Sequence, residues 1–277
     1  MKHSKQIKQI VRGLATQDGA GVTLTRIIGQ PALPRLDPFL MLDEFGSDKP
    51  QDYLAGFPEH PHRGFQTVTY MLAGKMEHKD SVGNTGLIET GGIQWMNAGR
   101  GIIHSEMPKQ TEGLMRGFQL WVNLPAKDKM SAPNYQDIKA ADVPVVNISE
   151  GLKIKVLAGE FDSVIGPVSA QAVSPLFLDC VFEKKQAVVI PREEQQYFFV
   201  YCYEGEVEVG NEKIIKGQLA VLESQTTIEL VGEAGAQCIV VGAFPINEPV
   251  AQYGPFVMNT EHEIQQAFED YQKGRFV

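Results

Sequence analysis

Phe57-Pro58-Glu59-His60-Pro61-His62-Arg63-Gly64-Phe65 is the stretch on which the reading of this chain turns, together with His104-Ser105-Glu106 further along. In His60-Pro61-His62 and in His104-Ser105-Glu106 the outer residues are two apart, and on a β-strand that spacing puts both side chains on one face of the pleat. Two such strands can aim three imidazoles and one carboxylate at a common point. That donor set suits a borderline divalent ion, and iron, nickel, copper, manganese and zinc are all chemically admissible. The remaining histidines, His3, His78 and His262, each stand alone and read as structural.

Working outward, the neighbouring segments also read as strands. Gln66 to Leu72 is β-branched and aromatic, Gly74 opens a turn, and Lys75 to Asp80 follows. Asn97-Ala98-Gly99-Arg100-Gly101 is a glycine-containing turn that delivers the strand carrying His104 and Glu106. Gln6 to Val11, Val22 to Ile28, Pro38 to Phe45 and Gly117 to Leu124 complete a set of short strands punctuated by turns, the pattern of a barrel or sandwich.

The interval from Lys127 to Gly151 is richer in Pro, Asp, Asn and Lys than its flanks. It divides the chain into a metal-binding domain, residues 1–130, and a second β domain, residues 131–277. In the second domain Leu152 to Ala158, Leu176 to Phe182, Tyr197 to Glu204, Gln218 to Leu222 and Cys238 to Ala243 are among the expected strands. Thr260 to Gln272 has a helical period instead, with Ile264, Ala267, Phe268 and Tyr271 on one face. Thr260 and Glu263 fit a capping box, and Gly274 sits where a helix stops.

Composition restricts the function classes. The 277 residues are 43% hydrophobic and 21% charged, which is ordinary globular usage. A formal net charge of −9 opposes a sequence-independent grip on nucleic acid, which needs lysine and arginine against phosphates. No apolar run approaches the length of a bilayer span, and Met1 to Gly13, broken by Lys2, Lys5 and Lys8, lacks the apolar centre of a signal peptide. The expected location is the cytoplasm, with no membrane partner. Cys180, Cys202 and Cys238 lie far apart among apolar residues and read as buried reduced thiols.

The layout resembles a cupin, and more specifically a pirin. The blocks that carry the resemblance are Pro38 to Phe45, Phe57 to Phe65, Gln94 to Pro108, Leu120-Trp121-Val122-Asn123-Leu124-Pro125 and Gln252 to Thr260, so it covers nearly the whole chain. The resemblance implies an all-β bicupin of two stacked barrels with a short C-terminal helix, holding a mononuclear non-haem Fe(2+) in the first barrel. His60, His62, His104 and Glu106 are the implied ligands; on a six-coordinate iron they leave two positions open. Gln66 departs from the glutamate that many cupins carry there. That change should leave the ligand set intact while altering a neighbouring hydrogen bond or charge. No histidine lies between His104 and His262, so the second barrel is expected to be degenerate.

The activity implied is that of a quercetin 2,3-dioxygenase, cleaving a flavonol-like small molecule with dioxygen, with Glu106 both ligand and catalytic base. Arg63 has two readings, orienting an anionic substrate or closing an ordinary ion pair. The family also implies an alternative, a redox-sensing regulator acting through protein partners, with the metal as its switch. A bicupin with a vestigial site is a third reading.

Overall fold

The computed structural model describes residues 6–169 and 172–277; His3 lies outside them. The described chain separates into two compact units, each built from one seven-stranded and one four-stranded antiparallel sheet. Strands such as Thr227–Gly232 alternate between a buried and a more exposed face, whereas Phe65–Ala73, Ile93–Asn97 and Gln237–Ala243 are buried on both faces.

One unit comprises residues 14–140 and 246–277. Its larger sheet runs Asn134–Ile138, Ile93–Asn97, Phe65–Ala73, Met115–Asn123, Phe39–Ser47, Val22–Ile28, Leu14–Asp18. Its smaller sheet runs Phe57–His62, Ile102–Pro108, Lys75–Asp80, Thr85–Glu89. In Ile102–Pro108 the residues Ile102, His104 and Glu106 are buried while Ile103, Ser105 and Met107 are half-buried, the two-residue period expected of a strand with one inward face.

The C-terminal segment belongs to this same unit. A short hairpin, Ala251–Tyr253 with Phe256–Met258, leads into the helix Glu261–Gln272. Thr260 caps the helix, its hydroxyl accepting from the Glu263 amide while the Glu263 carboxylate accepts from the Thr260 amide. Ile264 and Ala267 are buried in a cluster with Phe256, Met258 and Phe276.

The other unit comprises the N-terminal segment ending at Gly13 and residues 141–245. Its larger sheet runs Ile7–Arg12, Gln218–Leu222, Tyr197–Glu204, Gln237–Ala243, Leu176–Phe182, Leu152–Ala158, Val145–Ser149. The smaller runs Gln186–Pro191, Thr227–Gly232, Glu206–Val209, Glu212–Ile215. Its core is apolar, with Ile154, Leu178, Phe182, Phe198, Val200 and Val240 fully buried. Cys180, Cys202 and Cys238 are free and buried in the same core, at paired positions on three neighbouring strands.

These units divide the chain differently from the expected domains 1–130 and 131–277. The polar interval at residues 127–151, expected to hold the domain boundary, contains two strands, Asn134–Ile138 and Val145–Ser149, which are sheet edges. Edge strands have one ladder side unpaired and carry polar residues, so composition alone makes them look like connections. The terminal segments also change sides: Ile7–Arg12 pairs with Gln218–Leu222, and residues 246–277 join the unit that carries His60. Among the described residues no helix is long and apolar enough to cross a membrane.

Candidate metal centre

His104 lies directly opposite His60 in the antiparallel ladder between Phe57–His62 and Ile102–Pro108, and Ile102 lies opposite His62. Beyond His104 the register shifts, so that Glu106 faces Phe57. The result is a cluster in which ligand atoms of His60, His62 and His104 all lie within 4.8 Å of one another. Gly64, immediately after this strand, has φ +86°, and a Cβ there would collide with the Val257 carbonyl, so glycine lets the chain turn close against the C-terminal hairpin.

The hydrogen bonds set the imidazoles toward the centre of the cluster. His60 Nδ1 donates to the Pro58 carbonyl at 2.8 Å, which leaves its Nε2 as a lone pair facing His62 Nε2 at 2.9 Å. His104 Nδ1 is 3.2 Å from His78 Nδ1, while His104 Nε2 is buried with no hydrogen-bond partner. Burial, reinforced by the neighbouring His60, holds His62 well below the ordinary imidazole range. Burial and then the other histidines do the same to His104. Neutral imidazole is the form that binds metal.

Glu106 sits on the same strand face as His104, buried, but is not one of the clustered ligands. Its carboxylate is held by two side chains from adjacent strands. Thr69 Oγ1 lies 2.9 Å from Glu106 Oε1 and 2.6 Å from Gln119 Oε1, so its single proton serves one acceptor at a time. Gln119 Nε2 donates to Glu106 Oε2 at 3.2 Å.

A cavity of about 700 Å³ opens onto this cluster, with His60, His62, Glu106, Gln119 and Trp121 in its wall. Trp121 packs edge-on to His62, with ring centroids 5.3 Å apart. Elsewhere in the wall Arg26 forks onto Asp43, with contacts of 2.9 and 2.7 Å, and reaches Asp18 at 2.8 Å. These carboxylates raise the Arg26 pKa, Asp43 most strongly.

Two regions of the chain match family models: residues 21–122 match Pirin, and residues 177–277 match the Pirin C-terminal cupin domain. The chain belongs to the pirin family. A Pseudomonas aeruginosa relative, named as a candidate quercetin 2,3-dioxygenase, is 47% identical, with 99% of each chain covered. Human Pirin is 37% identical, covering 99% of this chain and 95% of that protein. The crystal structure of a quercetin 2,3-dioxygenase from Acinetobacter baumannii superposes with a TM-score of 0.91 at 32% identity, with 99% of both chains covered. The all-β architecture of two cupin domains is therefore established for this pirin.

The structure sorts the remaining sequence expectations for this pirin. His78, read as an isolated structural residue, is buried with its ring centroid 4.9 Å from that of His104. Its pairing position opposite Glu106 carries it to the same inner face. No local motif marks it, because the contact depends on pairing between strands. Thr69 and Gln119 carry no local mark for the same reason. Gln66 alternates with Phe65, Thr67 and Thr69 along its strand, so its side chain leaves from the face opposite Thr69 and away from Glu106. Arg63 closes an ion pair: it bonds Asp270 at 2.8 Å, lies 4.4 Å from the Phe276 ring centroid, and does not line the cavity.

The donor chemistry fits a divalent ion. Three imidazoles converge, two of their nitrogens face each other at hydrogen-bond distance, and a third is buried without a partner. A cation at their centre satisfies all three, and an adjacent carboxylate offsets its charge.

Proposed function

We propose that this pirin is a mononuclear non-haem iron dioxygenase that cleaves flavonols such as quercetin, with His60, His62, His104 and Glu106 holding Fe(2+). The carrying observation is the convergence of three imidazoles on a cavity of about 700 Å³ whose wall also holds Glu106 and Trp121. Zinc, nickel, copper and manganese share the donor preference, so iron is the specific part of the proposal. When bound, the ion would supply a redox-active Lewis-acid centre.

The chain's own residues supply position and proton handling. Trp121 and Phe57 offer aromatic surface against which a planar polyphenol packs. Glu106 Oε accepts the flavonol hydroxyl proton, and Thr69 and Gln119 keep that carboxylate aimed. We place this chemistry in the cytoplasm, with no direct nucleic-acid role.

The test is an aerobic assay of the iron-loaded protein with quercetin, scored by carbon monoxide release. Release above that of free iron, abolished by His62→Ala, is expected; turnover equal to free iron, or untouched by His62→Ala, refutes the reading. The resemblance to human Pirin supports a second reading, a metal-dependent regulator that meets protein partners differently in its ferrous and ferric states. Pull-downs in the two states test it, and identical partner sets refute it.

A further inference from the structure

Arg192 is a buried cation without an anion. It follows the strand Gln186–Pro191 in the unit that lacks a histidine cluster, and only 9% of it is exposed. One guanidinium nitrogen donates to the Gln196 carbonyl at 2.8 Å, and the guanidinium carbon lies 4.8 Å from the Phe198 ring centroid. Its Nε is buried with no acceptor, and among the described residues no carboxylate forms an ion pair with it. Burial lowers its pKa, as desolvating an unpaired charge should. A guanidinium kept in this condition is costly unless something supplies the missing acceptors.

Arg192 lines a cavity of about 710 Å³. The walls beside it combine apolar surface from Val168, Leu176, Pro191 and Phe244 with the polar side chains of Ser174 and Gln196. Glu160 and Glu193, both exposed, also border the space. We propose that this cavity binds a small organic monocarboxylate, with Arg192 receiving the carboxylate and the apolar wall receiving the body of the ligand. The fork of Arg192 matches carboxylate geometry. One cation beside two acids favours a monoanion over a dianion such as phosphate, because the second charge meets net repulsion. The competing role for Arg192 is as a clip for the turn at residues 193–196, which its bond to Gln196 already serves.

The test is calorimetric titration of the full-length, iron-loaded protein with benzoate, benzamide and inorganic phosphate. Saturable benzoate binding is expected, with benzamide and phosphate at least about tenfold weaker, since a hydrogen bond to a charged group is at stake. Arg192→Gln should weaken benzoate by at least about tenfold while His62→Ala leaves it unchanged. Because Arg192→Gln also removes the bond to the Gln196 carbonyl, Glu160→Gln with Glu193→Gln serves as a second variant on exposed positions, and it should tighten benzoate severalfold. Equal affinity for benzoate and benzamide, preference for phosphate, absence of saturable binding, loss on His62→Ala, or indifference to both sets of cavity variants overturns the proposal.

Discussion

Glu106 is held from two sides, by Thr69 and by Gln119, before any metal is considered. A carboxylate fixed in this way costs less to organise around an ion than a free one. Gln119→Leu removes the donor to Oε2 while keeping the side-chain volume close. With Glu106 as the proposed fourth ligand, metal affinity is expected to fall by roughly 10–100-fold, the usual consequence of losing an outer partner of a ligand, with the fold retained. Competition against a chromophoric chelator measures this, and an unchanged affinity would show that Glu106 does not depend on Gln119. Lys129 offers a second prediction at the same scale. Only 1% exposed, it donates to the Gly64 and Val257 carbonyls and to Asn123 Oδ1, and burial pushes its pKa down to about 8. The folded state therefore releases this proton at lower pH than the unfolded chain, whose lysine titrates near 10.4. Between about pH 8 and 10.4 the unfolded chain holds the extra proton, so this residue makes stability rise with pH, by up to about 3 kcal/mol. In Lys129→Met that rise should vanish, as urea unfolding at pH 7.5 and 10 reveals. Pro125-Ala126-Lys127-Asp128-Lys129 reads as a polar connection, and nothing in it shows that its last lysine turns inward.

The C-terminal helix was legible to the residue because its signals are local. Thr260, Glu263 and the apolar stripe through Ile264 and Ala267 mark start and buried face without reference to any partner. Its docking partner is not local. Asp270 on the helix meets Arg63, one residue beyond a proposed ligand, and the two are far apart in sequence. The same distance hid the membership of both terminal segments, since pairing between remote strands leaves no mark on either alone. Arg63 is buried and Asp270 is 18% exposed on its side chain, so removing the carboxylate strands a buried cation. Asp270→Asn is expected to cost about 2 kcal/mol at pH 7, below the cost for a fully buried pair because of that exposure. The hydrogen bond from Arg63 holds the Asp270 carboxyl below the usual aspartate range. Its contribution is present above the ordinary aspartate pKa of about 3.9 and is lost as pH falls through the lower folded value. The gap between wild type and Asp270→Asn should therefore narrow as pH falls below about 3.9, which parallel urea titrations at pH 7 and about pH 2 will show.

Across the whole molecule the two units repeat one plan, a seven-stranded with a four-stranded antiparallel sheet, yet only one gathers histidines. The sequence showed this asymmetry directly, because no histidine lies between His104 and His262. It marked three of the cluster residues as candidates as well, since two-residue spacing sets His60 with His62 on one strand face and His104 with Glu106 on another. It could not show His78 or Gln119, whose places depend on which strands pair. A cluster confined to one unit ties the stability of the chain to metal through that unit alone. An ion that binds the folded state and not the unfolded chain stabilises by an amount set by its free concentration over Kd, about 2.7 kcal/mol at a hundredfold excess. Ferrous ion added anaerobically at that excess should raise the unfolding free energy of the wild type by this amount and that of His104→Ala by much less. Comparing each protein with and without metal cancels any intrinsic destabilisation from emptying the His104 position. Equal stabilisation of wild type and His104→Ala would place the bound ion elsewhere, whereas a response confined to the wild type ties it to the cluster carried by the paired strands Phe57–His62 and Ile102–Pro108.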